Sequence, residues 1–381
     1  MASSSPERAI EPKVSTLWLG LISGTSADGI DAALVRFEPQ LEVLGSRTFP
    51  YPTALRERVI ALARSRASIA LDDYGHLDVE IGECFATAAL SVLRDCGVKA
   101  GSVTAIGSHG QTVCHRPTGP HPFTLQIGDP SVIAERTGIA TIADFRRADV
   151  AAGGQGAPLL PALHAAVFAD PVIPRAILNL GGIANLTILT PGHSVLGFDT
   201  GPANCLLDAW AVRHLNAPRD DHGAWARSGR VDDALLARWL EDPYFQAAPP
   251  KSTGREVFNL DWLSARVPAE TAPADVQATL LALSACSIAA ALRAHGRDTR
   301  EVFACGGGVH NAALMDALRR ELSNTRLDTT AVLGLDPDYV EAVGFAWLAR
   351  ARLADQAGNL PVVTGARGAR LLGAIYPAPR S

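Results

Sequence analysis

The chain is 381 residues long, 48% hydrophobic and 19% charged, with a formal net charge of −5. That length suits two domains with a core that needs no disulfide staples, and the composition excludes a disordered chain. The negative charge, and an Arg146–Arg147 pair flanked by Asp144 and Asp149, argue against nucleic acid and leave small metabolites as partners.

Residues 1–15 read as a loose tail without the apolar run of a signal peptide. No window reaches the roughly 18 uninterrupted apolar residues of a membrane span, so a cytoplasmic protein is expected. The six cysteines form no CxxC pair and read as reduced thiols. TLWLGLI, Thr16–Ile22, is a continuous apolar run and predicts a buried strand. The turn-forming SGTSADG follows, then strands over IDAALVRF and EVLGSRTF. A strand and not a helix follows the glycines, which disfavours a dinucleotide-binding opening.

Helices are predicted over about 53–66 and 73–95, the second with Leu77, Ile81, Phe85, Ala88 and Val92 spaced for one face. SVTAIGSHG predicts a strand ending in a polar loop, FTLQI a strand, 130–137 a short helix and GIATIAD a strand ending at Asp144. GGQGAPL reads as a loop that launches a helix from Pro158. AILNLGGIANLTIL repeats the strand–glycine–strand pattern, and SVLGFDT leads into a helix from GPANCLLDAW. Residues 216–270 read as an insertion around short helices, and 275–292 as a long buried helix. The strand EVFACGGG, a helix N-capped by Asn311, a strand over TTAVLGL and a helix over 339–354 complete the chain. Two halves of like topology follow: an N-terminal lobe over 16–150 and a C-terminal lobe over 151–355. The segment 356–381 is expected to pack back on the first lobe.

Glycine turns at three strand ends are the main chemical signal. Freed backbone N–H groups in such turns can hold phosphates. The first turn adds the hydroxyls of Ser23, Thr25 and Ser26 and the carboxylates of Asp28 and Asp31, which could reach Mg²⁺. PKSTGRE lacks the preceding glycine of a P-loop. Asp199 sits at a strand mouth, either as a general base near its ordinary pKa of about 4 or as a cap for the helix at Ala203. Asp149 is either a substrate contact or a salt-bridge partner of the adjacent arginines. Glu341 is either a cleft carboxylate or a solvated helix residue. His109 and Gln111 are either substrate contacts or a satisfied polar loop.

LGLISGTSADGID, IGSHGQTVCHRP, LQIGDP, ADFRRADVAAGGQGAPLLPALH, LNLGGIANLTIL, FDTGPANCLLDAW, PKSTGREVFNLDWL, CGGGVHN and EAVGFAWLA occur in order across nearly the whole chain. This series resembles the anhydro-N-acetylmuramic acid kinases, of the sugar kinase, Hsp70 and actin superfamily. The resemblance implies an α/β fold of two actin-like, ribonuclease H-like lobes, with mixed sheets, flanking helices and a central ATP cleft. It also implies homodimers. The implied activity is ATP- and Mg²⁺-dependent hydrolytic opening and O6 phosphorylation of 1,6-anhydro-N-acetylmuramic acid. Gly24, Thr25, Ser26, Ala27, Asp28, Gly29, Ile30 and Asp31 resemble the ATP segment, joined by Gly181, Gly182, Gly306, Gly307, Gly308 and Asn311. Asp199 resembles the catalytic base and Glu341 the carboxylate beside the substrate, with His109, Gln111, Arg146 and Asp149 on the sugar side. Ala27, Ala148 and Ala203 depart from the family's Leu, Arg and Gly at those positions. The rival readings are another small-sugar kinase of the same fold and a non-enzymatic ATP-gated module.

Overall fold

The structure is a computed structural model that describes residues 17–24, 26–64 and 69–379. The expected tail and Thr25 lie outside the described residues. Twelve strands are described: β1 (Leu17–Ser23), β2 (Ile30–Arg36), β3 (Glu42–Phe49), β4 (Val103–Arg116), β5 (Phe123–Ile127), β6 (Thr141–Ala143), β7 (Arg175–Leu180), β8 (Ile183–Leu189), β9 (Leu196–Pro202), β10 (Glu301–Cys305), β11 (Arg326–Thr329) and β12 (Ala374–Tyr376).

The first sheet runs β3-β2-β1-β4-β6-β12, with β5 paired to the far end of β4. The second runs β9-β8-β7-β10-β11. In each, three antiparallel strands are extended by two strands parallel to the first of the three, β4 and β6 in one sheet and β10 and β11 in the other, and β12 closes the first sheet antiparallel to β6. This doubled order is the ribonuclease H-like topology of actin-like two-lobed proteins, as the resemblance implied.

β1 is buried along its whole length, so its sequence is a continuous apolar run with no polar face. Leu17, Leu19 and Leu21 join one core with the predicted stripe Leu77, Ile81, Phe85, Ala88 and Val92 of helix Leu71–Asp95. Trp18 and Ile22 face the other way, toward helix Val340–Leu353. On that face Gly20 and Gly107 are register partners on β1 and β4. A Cβ on Gly20 would lie 1.7 Å from the Ala342 carbonyl oxygen, and one on Gly107 2.0 Å from that of Phe345. The paired glycines form a groove that seats the helix backbone directly on the sheet.

That helix packs on β1, β4 and β2 of the first sheet, and β12 in the last segment pairs with β6 of the same sheet. Helix Pro273–His295 is long and apolar enough to cross a membrane, yet it is largely buried as the core helix of the second lobe. Three element boundaries also differ. β4 continues through the expected polar loop to Arg116, because β5 pairs with its outer half. The helix after GGQGAPL starts at Pro161, with Leu160 at its N-cap. The strand expected over TTAVLGL (329–335) lies upstream at Arg326–Thr329 and shares only Thr329 with that run, while Thr330–Leu333 coil into a 3₁₀ turn.

Candidate active site

The second sheet carries a row of polar side chains. Asn179 on β7 is the register partner of Asn185 on β8, which is the partner of Asp199 on β9. Directly opposed residues share one sheet face. Asn185 Nδ2 donates to Asp199 Oδ1 at 2.8 Å, and Asn179 Nδ2 donates to Glu341 Oε1 at 3.3 Å. The two expected carboxylates therefore close the ends of one row. With neighbouring strands about 4.8 Å apart, the row spans about 10 Å from β7 across β8 to β9.

Asp199 is held by the insertion as well as by its own sheet. The Thr253 N–H donates to Oδ2 at 3.0 Å. The Tyr244 hydroxyl donates to the Asp199 carbonyl at 2.7 Å, and the Asp199 N–H donates to the Lys251 carbonyl at 3.2 Å. Burial pushes the carboxyl pKa up to about 6, against the hydrogen bonds from Asn185 and Thr253. The unshifted value of about 4 expected from sequence is thus corrected, because the insertion closes over the group. The helix-cap alternative also falls: the helix is capped at Ala203 with no side-chain bond, and the Asp199 carboxylate is bound to Asn185 and Thr253.

Glu341 opens helix Val340–Leu353, so the glycine groove fixes its height over the row. Burial raises its pKa, while Arg146 and Asn179 pull it down. Arg146 Nε donates to His109 Nε2 at 2.9 Å, and Nη1 donates to the Gly156 carbonyl at 2.7 Å. A guanidinium only donates, so His109 Nε2 is the acceptor and Nδ1 carries the proton, donated to the Gly110 carbonyl at 2.9 Å. Burial and the adjacent Arg146 hold the His109 pKa well below the usual value. Both His109 nitrogens are therefore occupied within the protein.

Gln111 is fully buried, accepts from Ser23 Oγ at 2.6 Å and donates to the Gly24 carbonyl at 3.1 Å, bracing the first glycine turn. Asp149 is also fully buried. It accepts from the Gly156 N–H, Asn359 Nδ2 and Thr364 Oγ1, each at 2.7 Å. It makes no surface salt bridge; it anchors the GGQG loop to the chain's last segment.

In the first hairpin, Ala27 is buried with a left-handed φ of 51°, and its N–H donates to the Gly24 carbonyl at 3.0 Å. Ser26 is half-buried in the turn between them. Ile30 is core, and a Cβ on Gly29 would strike Phe49 and Thr48 at 2.8 Å. Asp28 pairs with Arg56 at 2.7 Å. Asp31 accepts from Thr48 Oγ1 at 2.6 Å. Burial first, then the charges of Glu341, Asp338 and Asp28, raise the Asp31 pKa to about 6.

Two glycine turns lie at the end of β7 and β10. The carbonyls of Gly181 and Gly182 accept from Ala203, Asn204 and Cys205 at the start of helix Asn204–Leu215. Gly306 has a φ of 81°, and a Cβ there would lie 2.4 Å from Asn179 Oδ1, so the turn after β10 packs against the polar row. Gly308 packs on Leu180, and Gly307 has open space. Asn311 caps helix Ala312–Glu321 by accepting from the Leu314 N–H at 3.1 Å.

Sequence reasoning gave no site role to Asn179 or Asn185, nor to any residue of 244–256. The signal for the two asparagines is their alternation around Gly181–Gly182; for the insertion it is the motif PKSTGRE. Ser252 Oγ donates to Gln155 Oε1, joining the insertion to the GGQG loop.

Paired sheets of like topology, with glycine turns and carboxylates converging between them, define the class of two-lobed phosphotransferases. A family model described as anhydro-N-acetylmuramic acid kinase matches residues 16–378. The anhydro-N-acetylmuramic acid kinase of Xanthomonas oryzae pv. oryzae is 56% identical over 369 residues, covering 96% of this chain and 98% of that protein. The kinase of the same name from Coxiella burnetii is 50% identical over 362 residues, covering 94% and 97%. Among solved structures, component A of the Acidaminococcus fermentans (R)-2-hydroxyglutaryl-CoA dehydratase is 13% identical, covers 87% of this chain and 96% of its own, and has a TM-score of 0.47, too distant to bear on function. The chain belongs to the anhydro-N-acetylmuramic acid kinase family.

Proposed function

We propose that this protein opens the 1,6-anhydro ring of 1,6-anhydro-N-acetylmuramic acid with water and transfers the γ-phosphoryl group of ATP to O6. The products are N-acetylmuramic acid 6-phosphate and ADP. The observation that carries the reading is the polar row with Asp199 at one end and Glu341 at the other, beside the glycine turns. Asp199, with its pKa raised to about 6, is ionised at neutral pH and basic enough to take a proton from a water directed at C1. The C1–OH bond forms as the C1–O6 bond breaks, and O6 takes the phosphoryl group. Asp199 then releases its proton to solvent.

Glu341 and the Arg146 guanidinium that faces it hold the sugar's polar groups. His109, Gln111 and Asp149 act behind them: His109 aims Arg146, Gln111 braces the first turn and Asp149 fixes the loop that carries Gly156. The nucleotide phosphates lie against the 24–31 segment, Gly181–Gly182 and the 306–308 turn, where Asn311 sets the following helix. Mg²⁺ would be held beside Asp31, whose carboxyl is raised by burial first and then by the charges of Glu341, Asp338 and Asp28, and which has one oxygen free of Thr48. Asp28 offers the ion its Oδ2, its Oδ1 being paired with Arg56. When bound, the ion neutralises charge on the transferring group. The same reading carries a cytoplasmic homodimer, checked by light scattering.

The direct test is an ATP-coupled assay with the anhydro sugar, run in ¹⁸O-water, with the phosphate position read on the product. ADP release with phosphate on O6 and label at C1 is the expected result. Unlabelled C1 refutes hydrolytic opening. Faster turnover of free hexoses would reassign the substrate.

A further inference from the structure

Arg255 has no part in the reading above. It is exposed, and among the described residues it makes no ion pair and no hydrogen bond. It is nevertheless not a remote surface arginine. Its Nε and Nη2 lie 3.3 Å from the point where a Cβ on Gly182 would stand, so the guanidinium covers the open side of the Gly181–Gly182 turn. The carbonyls of that turn are bound to the start of helix Asn204–Leu215. Its N–H groups donate to no backbone carbonyl among the turn and loop bonds of the described residues. The charge of Arg255 also reaches Asp208 and Cys205 on the first turns of that helix.

Two residues earlier in the same loop, Thr253 donates its N–H to Asp199. One short segment therefore places a backbone donor on the base and an unpaired cation over the glycine turn. We propose that Arg255 binds the terminal phosphoryl group of the nucleoside triphosphate and stabilises it during transfer. The assignment rests on the reading of Gly181–Gly182 as a phosphate turn. Its chemistry is that of an arginine supplied within the chain: a planar fork of donors that neutralises charge on equatorial phosphoryl oxygens while the same loop holds the base through Thr253. Among the described residues no carboxylate lies within ion-pair distance of Arg255, which leaves the fork available, and the lack of a side chain at Gly182 lets it lie close to the turn.

The test compares binding of an imido-bridged ATP analogue with binding of ADP, by titration calorimetry without sugar, in the wild type, Arg255→Lys and Arg255→Ala. The exposed position lets the variants fold, which equal urea midpoints verify. The expected result is that Arg255→Ala loses about 10- to 100-fold of the preference for the triphosphate analogue, with ADP affinity within about twofold of wild type. Arg255→Lys recovers part of it. With sugar present, kcat of Arg255→Ala falls by at least about 100-fold. An unchanged ratio of the two affinities in Arg255→Ala overturns the assignment, as does a wild type that shows no such preference. Because the ratio is read without sugar, a wild type that binds the analogue but leaves the anhydro sugar untouched overturns the proposed substrate and not the role of Arg255.

Discussion

Replacing Gly20 with alanine adds one methyl group in a place where backbone meets backbone. The new Cβ would stand 1.7 Å from the Ala342 carbonyl oxygen and 2.9 Å from the Ala346 nitrogen. An ordinary carbon–oxygen contact is about 3.3 Å, so the helix must move by roughly 1.6 Å. Neither neighbour is a flexible side chain, so the strain cannot be relieved by a rotamer change. Overpacking of this kind costs about 1–3 kcal/mol, and the backbone contact argues for the upper end. The displaced turn carries Glu341, whose bond from Asn179 is already 3.3 Å long and does not survive such a shift. Urea unfolding should therefore show a loss of about 2–3 kcal/mol. At a temperature where the variant remains folded, kcat should fall about 100-fold, the usual effect of a 1 Å misplacement. Gly107→Ala, its register partner, should do the same, and the double variant should lose less than the sum, because one helix shift relieves both contacts. Gly20→Ala with wild-type kcat and a stability change under about 0.5 kcal/mol would refute the groove as the device that sets Glu341.

Asp199→Asn should keep its fold and nucleotide affinity but lose about 10²- to 10⁴-fold in kcat, read in the coupled assay. Turnover should fall as pH drops through about 6, where the raised Asp199 takes up its proton; a flat kcat profile from pH 7 to 5 would exclude it as the base. Stability should move the other way. Asp31, Asp199 and Asp208 are all lifted by burial to about 6, against about 4 in the unfolded chain, so the native state binds extra protons between those values. Their contribution is fully present below about pH 4 and is lost as pH rises through 6, which urea midpoints across that window would reveal. Asp149→Asn keeps one acceptor oxygen but turns an amide donor against either the Gly156 N–H or the Asn359 and Thr364 donors, so its melting temperature should drop sharply while the residual folded protein keeps a near-normal KM for sugar.

Much of the fold is legible in the amino-acid order. The run LWLGLI has no polar face because two layers cover it, and the stripe from Leu77 to Val92 marks a helix by spacing alone. Asp199 and Glu341 are legible as carboxylates at element ends, and the resemblance to the family motifs singles them out. The row joining them is not, because it depends on the register of three strands, and a shift of one residue would send Asn179 and Asn185 to the other face. The engagement of His109, Gln111 and Asp149 within the protein was hidden for a related reason. Their partners lie 37, 88 and up to 215 positions away in the chain. The reach of the insertion over Asp199 likewise depends on long-range closure that no local pattern encodes.

The arginine beside His109 has a thermal consequence. With its one acceptor nitrogen taken by Arg146 and its proton held by Gly110, this imidazole is withdrawn from proton traffic. In the mechanism proposed above the base is the Asp199 carboxyl group, whose ionisation carries almost no heat, whereas that of imidazole carries a good deal. The acid limb of the rate profile should thus stay at the same pH from cold to warm, a signature that a histidine base could not give.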